Sequence, residues 1–129
     1  MDPAAFCGGA RLGVGETVLI EDEGGVGAFA VCHCGAGEAG SGTCYVKFGA
    51  ARPGTQAGKR FGRLLHACEA LARDRGLERV MAGVNTARHH AYRLVMERGY
   101  RPRFQGVIMH RPHGPGYCRA DVYVMDELR

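Results

Sequence analysis

The sequence predicts a single α/β (α+β) domain on a mixed, mainly antiparallel sheet, in the order β-β-β-α-β-α-β-β. Three observations predict it. Short β-rich runs separated by glycine turns occupy the chain up to Ala51. Beyond that point apolar residues recur at helical spacing in two stretches. A strand-like run stands between these stretches, and strand–helix–strand crossovers make the pairing near Ala51 and Val84 parallel. At 129 residues the chain accommodates one core and not two. With 46% apolar and 23% charged residues it has the balance of an ordinary globular protein rather than a disordered one.

In chain order, residues 1–16 hold four glycines and Pro3 with little periodicity, and they read as a loose lead-in to one domain over 17–129. Thr17–Glu21 is a short β-rich run, and Asp22-Glu23-Gly24-Gly25 is a turn signal. Val26–Cys34 returns as the second strand of a hairpin. Gly35–Gly42 is another glycine-rich turn, and Cys44–Ala51 is a third strand closed by Arg52-Pro53-Gly54. Phe61, Leu64, Leu65, Cys68, Leu71 and Ala72 then make one face of an amphipathic helix from about Phe61 to Arg75, with Gly76 as its stop. Glu78–Val84 is a strand. Asn85 or Thr86 caps a second helix that turns Ala87, Ala91, Leu94 and Val95 inward and ends at Gly99. Phe104–His110 and Asp121–Met125 are two closing strands around the Pro/Gly-rich stretch Arg111–Arg119.

Charge is divided unequally. Residues 1–51 carry two basic and six acidic side chains, whereas residues 52–129 carry fifteen basic and seven acidic ones. The excess favours an anionic partner for the second part, either nucleic acid or a phosphate-bearing cofactor. No apolar run reaches the length needed to cross a bilayer, so no membrane partner is expected. The first ten residues lack a basic start followed by an apolar core. A cytoplasmic location with reduced cysteines is therefore expected.

The stretch most informative about chemistry runs from Ala51 to Leu65. A strand ends, a glycine-bearing loop follows, and an amphipathic helix starts on it. The free N–H groups of a helix's first turn, with the positive end of its dipole, form an anion site. Gly58 and Gly62 permit close backbone approach, and Lys59, Arg60 and Arg63 add charge. Taken alone, the stretch equally fits a solvated basic turn.

The surrounding layout weighs for the anion site. Gly58-Lys59-Arg60-Phe61-Gly62-Arg63-Leu64-Leu65, then Val84-Asn85, then Ala91 through Leu94 to Arg98-Gly99-Tyr100, together resemble the GCN5-related N-acetyltransferase superfamily. The resemblance extends from about Thr17 to Arg129. It implies a coenzyme A pyrophosphate held by the backbone of Ala57, Gly58, Lys59, Arg60, Phe61 and Gly62. It also implies a pantetheine arm beside Ala50 and Ala51 in a gap between splayed strands, with Asn85 near that arm. Acetyl-CoA or another acyl-CoA would then be co-substrate without a metal, and the acceptor a small-molecule or peptide amine.

Three features depart from the superfamily pattern. The loop usually reads Arg/Gln-x-x-Gly-x-Gly/Ala, but here its first position is Ala57 and its middle glycine is Arg60. The position that many members give to a tyrosine proton donor is Val95, with Tyr92 three residues earlier. Residues 1–16 are too few for the opening strand and two helices of the superfamily, which implies an abbreviated domain completed by a homodimer partner or a further domain. A domain that binds acyl-CoA without turnover, or serves as a structural partner, is the alternative to an enzyme.

Other constellations weigh less. His89, His90, His110 and His113 are candidate bases, and His110 and Tyr117 flank a turn that could border an acceptor pocket, yet no catalytic residue is assigned. Cys32-His33-Cys34 invites zinc, but in a strand Cys32 and Cys34 face one side and His33 the other. Further ligands would have to come from Cys7, Cys44 or a distant histidine, at no recognised spacing. Cys68 lies on the apolar stripe of the first helix, and Cys118 in a loop. Arg88, Arg93, Arg98, Arg101 and Arg103 could touch nucleic acid, but no aromatic interleaving or known signature accompanies them, and a solvated face beside an anionic cofactor explains them with less.

Overall fold

The computed structural model describes residues 4–8, 15–34, 42–107, 109 and 111–126. They form an α+β domain with a six-stranded mixed sheet and two helices. The strands are β1 (Ala4–Gly8), β2 (Gly15–Asp22), β3 (Gly25–Cys34), β4 (Thr43–Ala51), β5 (Arg79–Ala82) and β6 (Val124–Met125), and the helices are α1 (Ala57–Asp74) and α2 (His89–Glu97). β1 to β4 make an antiparallel meander, and β5 adds to β4 in parallel. The order is thus β-β-β-β-α-β-α-β, which corrects the expected order at both ends.

At the first end, Ala4–Gly8 is a strand where a loose lead-in was expected, and β2 begins at Gly15 rather than Thr17. Five residues carry too little periodicity to announce a strand, and β2 supplies the ladder partner, from Ala4 opposite Ile20 to Gly8 opposite Glu16. At the other end, Phe104–Val107 and Met109 form no strand, and Phe104, Val107 and Met109 are each more than 80% exposed. β-propensity describes fit to a pleated neighbour, and these residues pair with no strand among the described residues. The expected strand Asp121–Met125 shrinks to Val124–Met125.

The β2–β3 hairpin turns at Glu23-Gly24. The Asp22 side chain accepts the Gly24 N–H at 2.9 Å, and Gly25 takes a φ of 101° that favours glycine. Alternate residues of the strands face α1, so Val18, Ile20, Ala28, Ala30, Cys32 and Val46 are buried. α1 answers with Phe61, Leu64, Leu65, Cys68, Leu71 and Ala72, the stripe read from the sequence. The helix starts at Ala57, one turn before the expected Phe61. It ends where Gly76, at φ 67°, lets the Leu77 N–H reach the Ala72 carbonyl at 2.8 Å. α2 buries Ala91 and Val95, with Leu94 partly buried against the core, and stops before Gly99 at φ 95°. It begins at His89, and Arg88 rather than Asn85 or Thr86 is its flanking residue. The Asn85 side chain instead closes the preceding turn by accepting the Ala87 N–H at 2.9 Å.

Parallel pairing of β4 and β5 runs from Thr43 opposite Arg79 to Val46 opposite Ala82. It does not continue to Ala51 and Val84 as expected. Beyond Val46 the β4 edge is taken by β6, with Gly49 opposite Met125 and Ala50 opposite Val124. The strands therefore part, and the C-terminal segment enters where they do.

Candidate functional site

The start of α1 is where the sequence reading puts an anion site. Gln56 precedes the helix without a side-chain capping bond, and the first turn has no acidic residue. The Ala57 N–H reaches the Gly54 carbonyl and the Arg60 N–H the Gln56 carbonyl, whereas the Gly58 and Lys59 N–H groups find no acceptor among the described residues. Because the helix begins at Ala57, Gly58, Lys59 and Arg60 lie within its first turns rather than in a loop before it. An added Cβ at Gly62 would meet nothing within 4 Å, so the space beside it is open. A surface cleft of about 410 Å³ flanks this end, lined by Asp22, Arg52, Gln56, Lys59, Arg60 and Arg63 among others.

Electrostatics within the cleft are already partly compensated. Arg60 Nε donates to Asp22 Oδ2 at 2.9 Å, and Arg52 Nη2 donates to Asp22 Oδ1 at 3.0 Å. Arg60 also donates to the Arg52 carbonyl at 3.3 Å, and Arg52 to the Val26 carbonyl at 2.8 Å. One carboxylate thus pins the β2–β3 turn to the start of α1 and engages two of the four cations. The Arg60 hydrogen bond above all, with those from Gly24 and Arg52, holds the Asp22 carboxyl at about 2 instead of 3.8. A carboxyl depressed on folding stabilises where it is ionised, and that contribution fades as the pH falls from about 4 towards 2. Asp22→Asn should therefore be less stable than wild type at neutral pH, and the gap should close across that acid window. Chemical denaturation at stepped pH checks this, and a gap that persists unchanged at pH 2 would refute it.

The expected pantetheine positions are close by, but their backbone is engaged. The Ala51 N–H donates to the Tyr123 carbonyl at 3.0 Å, and Ala50 lies in the ladder opposite Val124. The Tyr123 ring packs on Phe61 at 5.5 Å between centroids, and its hydroxyl lies 3.1 Å from where a Gly58 Cβ would stand. Tyr123 therefore joins the end of β4 to the start of α1, and nothing in the local sequence marks it for that position. Asn85 sits half-buried after β5 with its side chain committed to the turn.

The remaining candidates separate. Val95 is buried in the core. Tyr117 Oη accepts from Arg88 Nε at 2.9 Å, with the guanidinium 5.2 Å from its ring centroid. His113 is exposed, and His110 lies outside the described residues. His89 and His90 are exposed on the first turn of α2, where the His90 ring stacks on Tyr123 at 6.5 Å. Cys32, Cys34, Cys44 and Cys68 are buried thiols, with sulfurs 3.8 Å apart for Cys32–Cys68 and 3.7 Å for Cys34–Cys44. Burial above all pushes the Cys34 thiol up to about 12, which opposes the thiolate a metal would need. Among the described residues no group of three or more Cys, His, Asp or Glu side chains is placed to hold a metal ion.

Of the arginines weighed for nucleic acid, Arg88 pairs with Asp126 at 3.1 Å and Arg98 with Glu69 at 2.5 Å. Tyr100 also donates to Glu69, at 2.9 Å. Burial works against the Glu69 carboxylate, but these bonds outweigh it and lower its pKa. No helix among the described residues is long and apolar enough to cross a membrane.

Comparison of the chain with protein-family models, with curated proteins and with solved structures finds no match in any of the three.

Proposed function

We propose that the domain binds acetyl-CoA or a related acyl-CoA and transfers the acyl group to an amine. One observation carries the reading: β4 and β5 part after Val46 and Ala82, and the end of β4 leads directly to an uncapped, cation-flanked start of α1. The open side of Gly62 and the unengaged N–H groups of Gly58 and Lys59 suit the diphosphate end. The thioester supplies an activated carbonyl, whose leaving thiol has a pKa of about 8.5 and needs little help from an acid. An N–H at the end of β4, such as that of Ala51 once released from the Tyr123 carbonyl, would stabilise the oxygen that gains charge. The acceptor amine must lose a proton, and the His90 imidazole, stacked on Tyr123 at the foot of α2, is a candidate base beside that region.

A second reading, acyl-CoA binding without turnover, is favoured by a specific observation. Val95, at the position the resemblance gives to a proton donor, is buried and brings no hydroxyl to the cleft.

Calorimetry with acetyl-CoA tests binding, and thiol release with a panel of amines tests turnover. Binding without thiol release would favour the second reading, and no binding at millimolar cofactor would exclude both. Arg60→Glu is a poor probe of the phosphate site because it would set a carboxylate against Asp22. Lys59 is exposed and ion-pairs with no described residue. Lys59→Glu should weaken acetyl-CoA binding about tenfold at low salt and much less at roughly 0.5 M salt. Equal affinity of wild type and variant at low salt would show that the helix start holds no phosphate.

A further inference from the structure

We propose that the segment Tyr123–Met125 is an intramolecular occupant of the acyl-CoA slot, so that the cofactor arm binds only after this strand leaves. The inference rests on the acyl-CoA reading above and addresses how that same site is controlled.

The segment fills the gap from both sides. On the β4 side, Gly49 and Ala50 lie opposite Met125 and Val124, and the Ala51 N–H is bonded to the Tyr123 carbonyl. On the β5 side, the Asp126 N–H donates to the Gly83 carbonyl at 2.9 Å, one residue beyond the end of β5. These are the backbone groups that an extended amide-bearing arm would need. The side chains extend the overlap. The Tyr123 hydroxyl stands over Gly58, and Met125 is fully buried with its methyl 2.8 Å from where a Gly49 Cβ would lie. Gly49 thus makes room for the strand.

Release would cost the burial of Met125 but little backbone pairing. β6 is two residues long and leaves no long ladder to break. It is secured from outside by Arg88, which donates to the Val124 carbonyl at 3.3 Å and to both carboxylate oxygens of Asp126 at 3.1 and 3.2 Å. A ligand that competes with a closed state binds with an apparent affinity reduced by the fraction of molecules that are open. Acyl-CoA affinity is therefore set partly by the hold of Arg88 and Tyr123 on this strand.

A cross-strand disulfide tests the proposal. Ala50 and Val124 are direct partners across the antiparallel ladder, a separation that a disulfide spans. The Ala50→Cys/Val124→Cys variant, in a Cys118→Ser background because Cys118 is exposed, is titrated with acetyl-CoA in oxidised and reduced forms. The oxidised form should bind at least tenfold more weakly than the reduced form, whose own affinity is not required to equal that of wild type because Ala50 lies beside the expected arm. In wild type, saturating acetyl-CoA should speed hydrogen exchange of 122–126. Equal binding by the oxidised and reduced forms would overturn the proposal and leave the acyl-CoA reading standing. If the double variant fails to fold, or its reduced form does not bind, Tyr123→Ala decides: tighter binding than wild type supports the proposal, and equal or weaker binding overturns it. If neither wild type, reduced variant nor Tyr123→Ala binds at millimolar acetyl-CoA, the reading of the site is overturned and the proposal with it.

Discussion

Phe61→Ala should destabilise the protein by ~3–5 kcal/mol, a large part of the ~5–15 kcal/mol that holds a domain folded. Phe61 is fully buried in the first turns of α1, within the cluster that includes Leu64, Leu65 and Met125. Its ring also supports Tyr123 at 5.5 Å. Truncation would remove the apolar contact area and leave a cavity where the helix start meets the sheet. Urea unfolding followed by far-UV circular dichroism measures the loss. A change below about 1 kcal/mol would mean that the site collapses around the smaller side chain or that Phe61 is not buried as described.

Arg88→Ala should cost about 2–3 kcal/mol and loosen the C-terminal segment selectively. The Arg88 side chain is 11% exposed and binds three groups that are remote in sequence: the Tyr117 hydroxyl, the Val124 carbonyl and the Asp126 carboxylate. The planar guanidinium meets both carboxylate oxygens, so Arg88→Lys should recover little of the loss. Hydrogen exchange should rise over 117–126 while β2 to β4 keep their protection. Uniform loss of protection across the sheet would contradict a local anchoring role.

The apolar face of α1 was legible because helical spacing puts Phe61, Leu64, Leu65, Cys68 and Leu71 on one side whatever they meet. The stops at Gly76 and Gly99 were legible because glycine readily takes the positive φ found there. The hairpin around Asp22 was legible for the same local reason. Of the site, Gly58 and Lys59 at a helix start were visible as residues, although the helix begins a turn earlier than its apolar stripe indicates. Ala57 and Arg60 show why: the apolar stripe reports the buried face and not the first residue with helical dihedrals.

Tyr123, Asp22 and Arg88 were not legible. Tyr123 gains its position from a strand of two residues, which has no measurable period. Asp22 engages Arg52 and Arg60 across at least thirty residues of chain, and no spacing rule selects two arginines from so many. Arg88 was visible only as part of a basic run.

By itself, the sequence determined the class of fold, the hairpin turn after Asp22, the helix stops at Gly76 and Gly99, the buried face of each helix and the concentration of positive charge after Ala51, because each depends on neighbours within a few residues. Only the tertiary structure decided that β6 enters the gap beside β4, that Phe104–Val107 joins no strand among the described residues, and which carboxylates Arg52, Arg60, Arg88 and Arg98 meet. Strand partners and ion pairs are chosen by groups distant in the chain, through the geometry that packing imposes on them.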